Sequence, residues 1–68
     1  METWDVIKKK KIETPAEMAA FLDDIIEVCK KHGLSISHED CHGAFCIEEY
    51  CEENIEWLRN ADKCYERG

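Results

Sequence analysis

One histidine and three cysteines, spaced as His38-x2-Cys41-x4-Cys46-x4-Cys51, are the first residues that could do chemistry. Imidazole and thiolate groups bind zinc, and the spacing of two, four and four residues copies that of a zinc knuckle. The histidine is first instead of third, however, the surroundings are acidic, and Cys46 lies mid-strand between two apolar residues. Free thiols that pack as small hydrophobic groups explain the pattern better, so we expect no metal and no cofactor.

The cluster His38, Glu39, Asp40 and His42 could supply a general acid and base, because an imidazole beside a carboxylate titrates near neutral pH. These residues fall at a predicted hairpin tip, where Asp and Gly are common for backbone reasons. A chain this short also offers few walls to exclude water from a pocket. Cys41, a possible nucleophile beside two histidines, has no evident third group to orient it. We therefore expect no enzyme.

The chain has 68 residues, which is enough for one domain and a small core. It has five cysteines, an odd number, and residues 1–12 lack the apolar run of a signal peptide. We expect reduced thiols and a cytoplasmic protein. No apolar stretch reaches the length of a membrane span.

Charge is distributed unevenly along the chain. Residues 1–12 have a local balance of plus two, from four consecutive lysines against two acids, whereas the whole chain carries minus seven. The rest of the chain, residues 13–68, is an acidic body that repels phosphate backbones. Direct nucleic-acid binding is therefore not expected outside the lysines. We interpret residues 1–13 as a basic N-terminal arm that is disordered, docks on a partner or adds a strand.

Residues 14–65 are predicted to form an α-β-β-α domain. Thr14, Pro15 and Glu17 match a helix start with a capping threonine, and Gly33 matches a left-handed stop. Between these signals, apolar residues recur at steps of three and four, as on one face of a helix: Met18, Phe21, Leu22, Ile25, Ile26, Cys29 and, at the end, His32.

A β-hairpin is predicted after Gly33, followed by a second helix that starts after Tyr50 and ends near Cys64. One hairpin face is apolar and should contact both helices: Leu34, Ile36, His38, Phe45 and Ile47. The fold class is therefore α+β, a small single domain in which two helices pack on a β-hairpin.

The bulky apolar side chains exceed what so small a body can bury: Trp4, Phe21, Phe45, Tyr50, Trp57 and Tyr65. Because monomers rarely tolerate a large exposed apolar patch, we expect a homodimer. We expect the scaffold to be held by Phe21, Ile25, Phe45, Ile47, Ile55, Trp57 and Leu58. A buried Trp57 would make Trp57→Ala an unfolding substitution.

The carboxylates on the helices and the hairpin allow two interpretations. In the first they are ordinary solvated surface groups; in the second they imitate a phosphate backbone and enter a basic channel. If the chain binds a protein, the contact surface is expected at the hairpin tip and the acidic faces: His38, Glu39, Asp40, His42, Glu48, Glu49, Glu52 and Glu53.

The segment HGLSISHEDCHGAFCIEEY, followed by NIEWLRNA, resembles a family of very short proteins encoded by phages and prophages of Gram-positive bacteria. The resemblance spans roughly residues 14–62 and leaves out the lysine-rich arm and the cysteines at 41, 46 and 51. The matching residues are Gly33, Ser35 to Asp40, His42 to Phe45, Tyr50, Asn54, Ile55, Trp57 and Leu58.

This family resembles small homodimeric inhibitors of the Hachiman anti-phage system, a helicase and nuclease pair. The resemblance implies a non-enzymatic counter-defence protein in the host cytoplasm that binds a host defence protein. Two alternatives stay open: a sponge that sequesters a nucleotide immune signal between protomers, and a structural or regulatory accessory protein of the phage. A sponge needs converging basic side chains or amide nests, which the acidic body does not suggest.

Overall fold

The computed structural model describes residues 1–39 and 43–67, and the expectations for Asp40, Cys41 and His42 lie outside them. The order of elements is β1 (Glu2–Asp5), β2 (Lys10–Glu13), α1 (Ala16–His32), β3 (Leu34–His38), β4 (Phe45–Glu49) and α2 (Glu52–Arg59). Strands β1 and β2 form one antiparallel pair, and β3 and β4 form another. The predicted α+β class, with two helices beside a hairpin, is confirmed.

Helix α1 begins at Ala16, two residues after the predicted threonine cap. The Pro15 carbonyl accepts the first helical hydrogen bond, from the Ala19 amide at 3.0 Å, and no side chain caps the helix. The Thr14 hydroxyl instead donates to the Met1 carbonyl at 2.9 Å and lies 2.6 Å from the Thr3 hydroxyl. The prediction of a Thr14 cap is wrong, because strand β1 offers this hydroxyl partners that the sequence window around Thr14 does not show.

The end of α1 follows the prediction. Gly33 has φ 68°, in the left-handed region, and its amide donates to the Cys29 carbonyl. Glycine has no Cβ to oppose this conformation, so the helix stops and the chain turns directly into β3.

The helices lie against the opposite face of the β3–β4 hairpin from the one predicted. Ser35 is 1 % exposed, whereas Leu34, Phe45 and Ile47 are 45 %, 73 % and 66 % exposed. The Ser35 hydroxyl donates to the Glu49 carbonyl at 2.8 Å and accepts from Asn54 Nδ2 at 2.9 Å. These bonds satisfy a buried hydroxyl and tie α2 to the small-residue face of β3, so the predicted packing face is wrong.

The core is small. Its buried apolar side chains are Met18, Leu22, Ile26, Cys29 and Ile55, with Ile25, Tyr50 and Leu58 partly buried against the centre of this group. Four side chains that were expected to hold the scaffold are exposed instead: Phe21, Phe45, Ile47 and Trp57. Trp57 is 42 % exposed, so the expectation of a buried tryptophan is also wrong.

Residues 1–13, set apart as a basic arm from their composition, form the β1–β2 hairpin. Thr3 and Asp5 are buried on one side of it, and Trp4 lies opposite Lys11 on the other. Helix α2 ends at Arg59, earlier than predicted, and the chain then returns to β1. There Lys63 donates its amide to the Trp4 carbonyl at 2.8 Å and accepts at its own carbonyl from the Val6 amide at 2.9 Å.

Neither α1 nor α2, the helices of the described part of the chain, is long and apolar enough to cross a membrane.

Candidate functional site

The predicted contact residues at the hairpin tip are only partly described. His38 ends β3, is exposed, and has its ring centroid 6.1 Å from that of Trp57. The backbone of Glu39 closes the ladder, since its amide donates to the Ala44 carbonyl at 2.7 Å and its carbonyl accepts from the Gly43 amide at 3.0 Å. These two hydrogen bonds fix the positions of Glu39 and Gly43, the described residues on either side of the hairpin tip.

Four of the predicted contact carboxylates form what we call the acidic surface, which runs from the end of β4 into the first turn of α2: Glu48, Glu49, Glu52 and Glu53. All four side chains are exposed. Two of them are oriented by neighbours, because Glu48 accepts from Asn54 Nδ2 at 3.3 Å and Glu52 accepts from the Tyr50 hydroxyl at 3.0 Å. The acidic surface therefore lies on a strand and a helix, and hydrogen bonds hold two of its side chains in place.

Local hydrogen bonds shift the titration of this region. The Ser37 hydroxyl, followed by the Asn54 amide, lowers the pKa of Glu48. Desolvation raises the pKa of Tyr50, and the hydrogen bond to the Glu52 carboxylate adds to this effect. The shift at Glu48 favours its ionised carboxylate, and the shift at Tyr50 favours its neutral phenol.

A second surface, which the sequence analysis assigned to the interior, is apolar. We call it the apolar face: Phe21 and Val28 of α1 with Leu34, Ile36, Phe45 and Ile47 of the hairpin. A groove of about 570 Å³ lies between α1 and the hairpin along this face, and Ile25 and Cys29 also line it. The alternation of apolar residues in β3 and β4 correctly predicts that this face is apolar. It does not show which face of the hairpin the helices cover.

Phe21 also lines a second groove, of about 650 Å³, between α1 and the C-terminal segment. Met18 and Leu22 lie on its apolar side, with Tyr65 and Arg67 from the C-terminal segment. The Tyr65 hydroxyl donates to a Glu17 carboxylate oxygen at 2.5 Å, which lowers the pKa of Glu17 and raises that of Tyr65.

Asp5 is a buried carboxylate that sequence reasoning missed. Its Oδ1 accepts from the amides of Ile7 at 2.9 Å and Lys8 at 3.0 Å, and its Oδ2 lies 3.7 Å from Lys63 Nζ. The Lys8 amide, with help from the Lys63 charge and the Ile7 amide, lowers the pKa of Asp5 against the opposing effect of burial. An aspartate just before a turn is a known signal for this bond to the backbone two residues on, and could have been used.

Lys63, the ion-pair partner of Asp5, makes two further contacts, both with Tyr65. Its Nζ donates to the Tyr65 carbonyl at 2.6 Å and lies 4.4 Å from the centroid of the Tyr65 ring. Together with the two backbone bonds to β1, these contacts make the Asp5–Lys63 pair a structural tie between the N-terminal hairpin and the C-terminal segment.

The cysteines do not form a metal centre in the described part of the chain. Cys29 is buried, Cys46 is partly buried, and Cys51 and Cys64 are exposed; all four are free thiols. Among the described residues, no group of three or more His, Cys, Asp or Glu side chains could hold a metal ion. Cys41, one of the four residues whose spacing resembles a zinc knuckle, lies outside those residues.

The elements and surfaces together define a small α+β chain that presents an apolar face and an acidic surface. No family model matches the sequence, and no curated protein or solved structure matches it.

Proposed function

We propose that this chain is a non-enzymatic phage counter-defence protein that inhibits a host anti-phage system, of the Hachiman type, by direct protein binding. It acts as a homodimer in the host cytoplasm. The resemblance of residues 14–62 to short phage proteins supports this function, and so does the surface chemistry of the described residues.

The observation that carries the proposal is the acidic surface. Its four carboxylates are exposed on ordered elements, and the chain has a net charge of minus seven. A surface of this kind complements a basic channel such as one that binds nucleic acid in a helicase or nuclease. Complementary charge accelerates encounter and disfavours wrong partners, which suits an inhibitor that works by occupancy.

A sponge for a nucleotide immune signal has weaker support. Binding of phosphates requires cations that converge on one place. Of the cations in the acidic body, Arg59 lies 3.7 Å from an Asp23 carboxylate oxygen and Lys63 is tied at Asp5. Incubating the purified protein with nucleotide immune signals and measuring their retention separates a sponge from an inhibitor. A structural or regulatory accessory protein would neither retain nucleotides nor relieve defence.

The test of inhibition is phage plating on bacteria that carry a Hachiman system, with and without expression of this protein. We expect expression to restore plaque formation. The double variant Glu52→Gln/Glu53→Gln, which neutralises two carboxylates without changing their size, should lose most of this effect. Glu2→Gln/Glu66→Gln removes the same charge from exposed positions outside the acidic surface and should keep it.

Binding to the purified defence proteins should weaken for the first double variant and should also weaken as salt rises, since exposed charges are screened. If the protein leaves phage defence unchanged, the counter-defence function is wrong. If both double variants behave as the unmodified protein does, the acidic surface is not the contact.

A further inference from the structure

The tip of the β1–β2 hairpin concentrates positive charge on an otherwise acidic chain. Its four lysines, Lys8 to Lys11, are consecutive, and all four side chains are exposed. In the described part of the chain, none of these lysines forms an ion pair with a carboxylate. Their charge is therefore available to an anionic partner.

Hydrogen bonds hold the backbone of this tip in one conformation. One carboxylate oxygen of Asp5 accepts from two amides of the turn, and the Asp5 carbonyl accepts from the Lys9 amide at 2.7 Å. The Val6 amide donates to the Lys63 carbonyl at 2.9 Å. A surface that is ordered before binding loses less entropy when it binds. The lysines are therefore presented on a preformed loop.

Lys9 occupies an unfavourable backbone conformation within this loop. Its φ is 57°, in the left-handed region, where a Cβ opposes the conformation. Glycine would adopt it without that strain. A strained residue that its surroundings hold in place is a feature of functional sites, so the lysine points to a role for its side chain.

Apolar side chains accompany the lysines. Val6 and Ile7 lie in the turn itself and are 40 % and 45 % exposed, and Trp4 on the preceding strand is 40 % exposed. Trp4 is opposite Lys11 in the hairpin register, so the indole ring and that ammonium group share one face. The turn thus combines an aliphatic pair with two lysines, and a tryptophan lies beside the lysines that follow.

This combination matches the surface of an anionic bilayer. Aliphatic side chains enter the boundary between headgroups and acyl chains, tryptophan prefers the interface, and lysines attract anionic headgroups. Single-stranded nucleic acid is a poorer match, because its bases stack on aromatic side chains and the turn carries aliphatic ones.

We propose that the tip of the β1–β2 hairpin docks the protein on anionic membrane surfaces. Val6 and Ile7 enter the headgroup region, and the four lysines contact anionic headgroups. This inference does not rest on the inhibitor function, because it concerns residues outside the segment that resembles phage proteins.

The acidic surface of the molecule does not prevent this docking at physiological ionic strength. Charges there are screened over about 8 Å. In the described part of the chain, the Cα atoms of β1 and β2 lie more than 8 Å from those of both helices and of the β3–β4 hairpin. Repulsion between the acidic surface and the membrane is therefore largely screened, whereas lysines in contact with headgroups are not.

The first test is co-sedimentation of the full chain with vesicles of phosphatidylcholine, alone or with an equal amount of phosphatidylserine. We expect binding to the mixed vesicles and none to phosphatidylcholine alone. Lys8→Gln/Lys9→Gln should weaken binding about 25-fold, since each lysine near an anionic surface contributes about fivefold.

The matched control is Lys30→Gln/Lys31→Gln, which removes the same charge from exposed positions in the last turn of α1. It should bind the mixed vesicles nearly as well as the unmodified protein does. Equal binding by the two double variants, or no binding of the unmodified protein to the mixed vesicles, overturns the proposal.

A fluorescently labelled single-stranded oligonucleotide tests the other polyanion. In the buffer used for the vesicles, its anisotropy should stay unchanged when the protein is added. Oligonucleotide binding that Lys8→Gln/Lys9→Gln abolishes, without binding to the mixed vesicles, would assign the lysines to nucleic acid and overturn membrane docking.

Tryptophan fluorescence tests which part of the molecule touches the bilayer. Trp57→Phe leaves Trp4 as the single tryptophan, and Trp4→Phe leaves Trp57. Mixed vesicles with brominated acyl chains should quench Trp4 and shift its emission to shorter wavelengths, because the ring leaves water at the interface. Trp57, on α2, should keep its emission. Quenching of Trp57 without quenching of Trp4 would overturn the proposal, since another face would then contact the membrane.

Discussion

Asp5 is a charged side chain in a buried position, and its surroundings explain why it is tolerated there. Two amides of the following turn bond to one carboxylate oxygen, and Lys63 lies near the other. A buried charge without such partners would strongly destabilise the fold. The residue therefore fixes the β1–β2 turn and the returning C-terminal segment at the same time.

Asp5→Asn should lower the melting temperature at pH 7, because the amide keeps the size of the side chain but loses the charge that faces Lys63. The pKa of Asp5 is lowered in the folded protein, so folding favours the ionised form. This contribution is complete above the unfolded carboxyl pKa of about 3.9 and is lost as pH falls through the folded-state pKa. The difference in melting temperature between Asp5→Asn and the unmodified protein should therefore shrink below about pH 4.

Melting curves from pH 2 to pH 7 measure this effect, with Glu2→Gln as an exposed control. The lowered pKa values of Glu17 and Glu48 act in both proteins and cancel in the comparison. A melting-temperature difference that stays constant across this range would contradict the ionic role of Asp5.

Trp57 and Ile55 lie on the same helix but differ in burial. Ile55 is 4 % exposed and part of the core, whereas Trp57 is 42 % exposed and contacts His38. Ile55→Ala should reduce the free energy of unfolding by about 2–5 kcal/mol, and Trp57→Ala by about 1–2 kcal/mol. Urea denaturation followed by circular dichroism measures both. A Trp57→Ala variant that fails to fold would show that the side chain is covered in solution, as by a second copy.

At the scale of elements, α1 and β3 are joined by a single residue. Gly33 stops the helix in the left-handed conformation, and β3 starts immediately after it. No heavy atom outside its immediate neighbours lies within 4 Å of the place where a Cβ would be added, so a substitution there strains only the backbone. The angle between helix and hairpin therefore depends on backbone conformation at one position.

Gly33→Ala should destabilise the protein by about 1–2 kcal/mol, the penalty for a left-handed residue with a Cβ. Gly33→Asn should cost less, because asparagine tolerates this conformation better. Thermal or urea unfolding measures both. Equal losses for the two variants would point to a cause other than backbone strain.

At the scale of the whole molecule, the core is too small for the number of bulky apolar side chains. Few apolar residues are buried, while α1 and the hairpin expose a shared apolar face. Chains below roughly 70–80 residues rarely obtain more than about 3–5 kcal/mol from one core. Covering the apolar face would add burial that the single copy lacks.

If a second copy covers this face, stability depends on protein concentration. The melting temperature of the unmodified protein should rise with concentration, since association stabilises the folded state by mass action. The melting temperature of Ile47→Lys should stay constant over the same range, and that of Ile7→Lys should rise. Differential scanning calorimetry at several concentrations measures this. A constant melting temperature in the unmodified protein would speak against association.

Local sequence patterns were sufficient to predict much of this fold. The spacing of apolar residues predicted α1, Gly33 predicted its end, and alternation with a turn between predicted β3 and β4. These features depend on neighbours within a few residues, so the sequence alone determined them. The exposed carboxylates of the acidic surface could also be predicted, because charged helix and strand residues rarely lie in a core.

Tertiary structure decided what local patterns do not contain. Which face of the hairpin the helices cover depends on the bonds of Ser35 to Asn54 and Glu49, far apart in sequence. Whether residues 1–13 are ordered depends on Lys63, some fifty residues away, which bridges to β1 and faces Asp5. Burial results from contacts between elements, and a period along one element shows that a face is apolar without showing what packs on it.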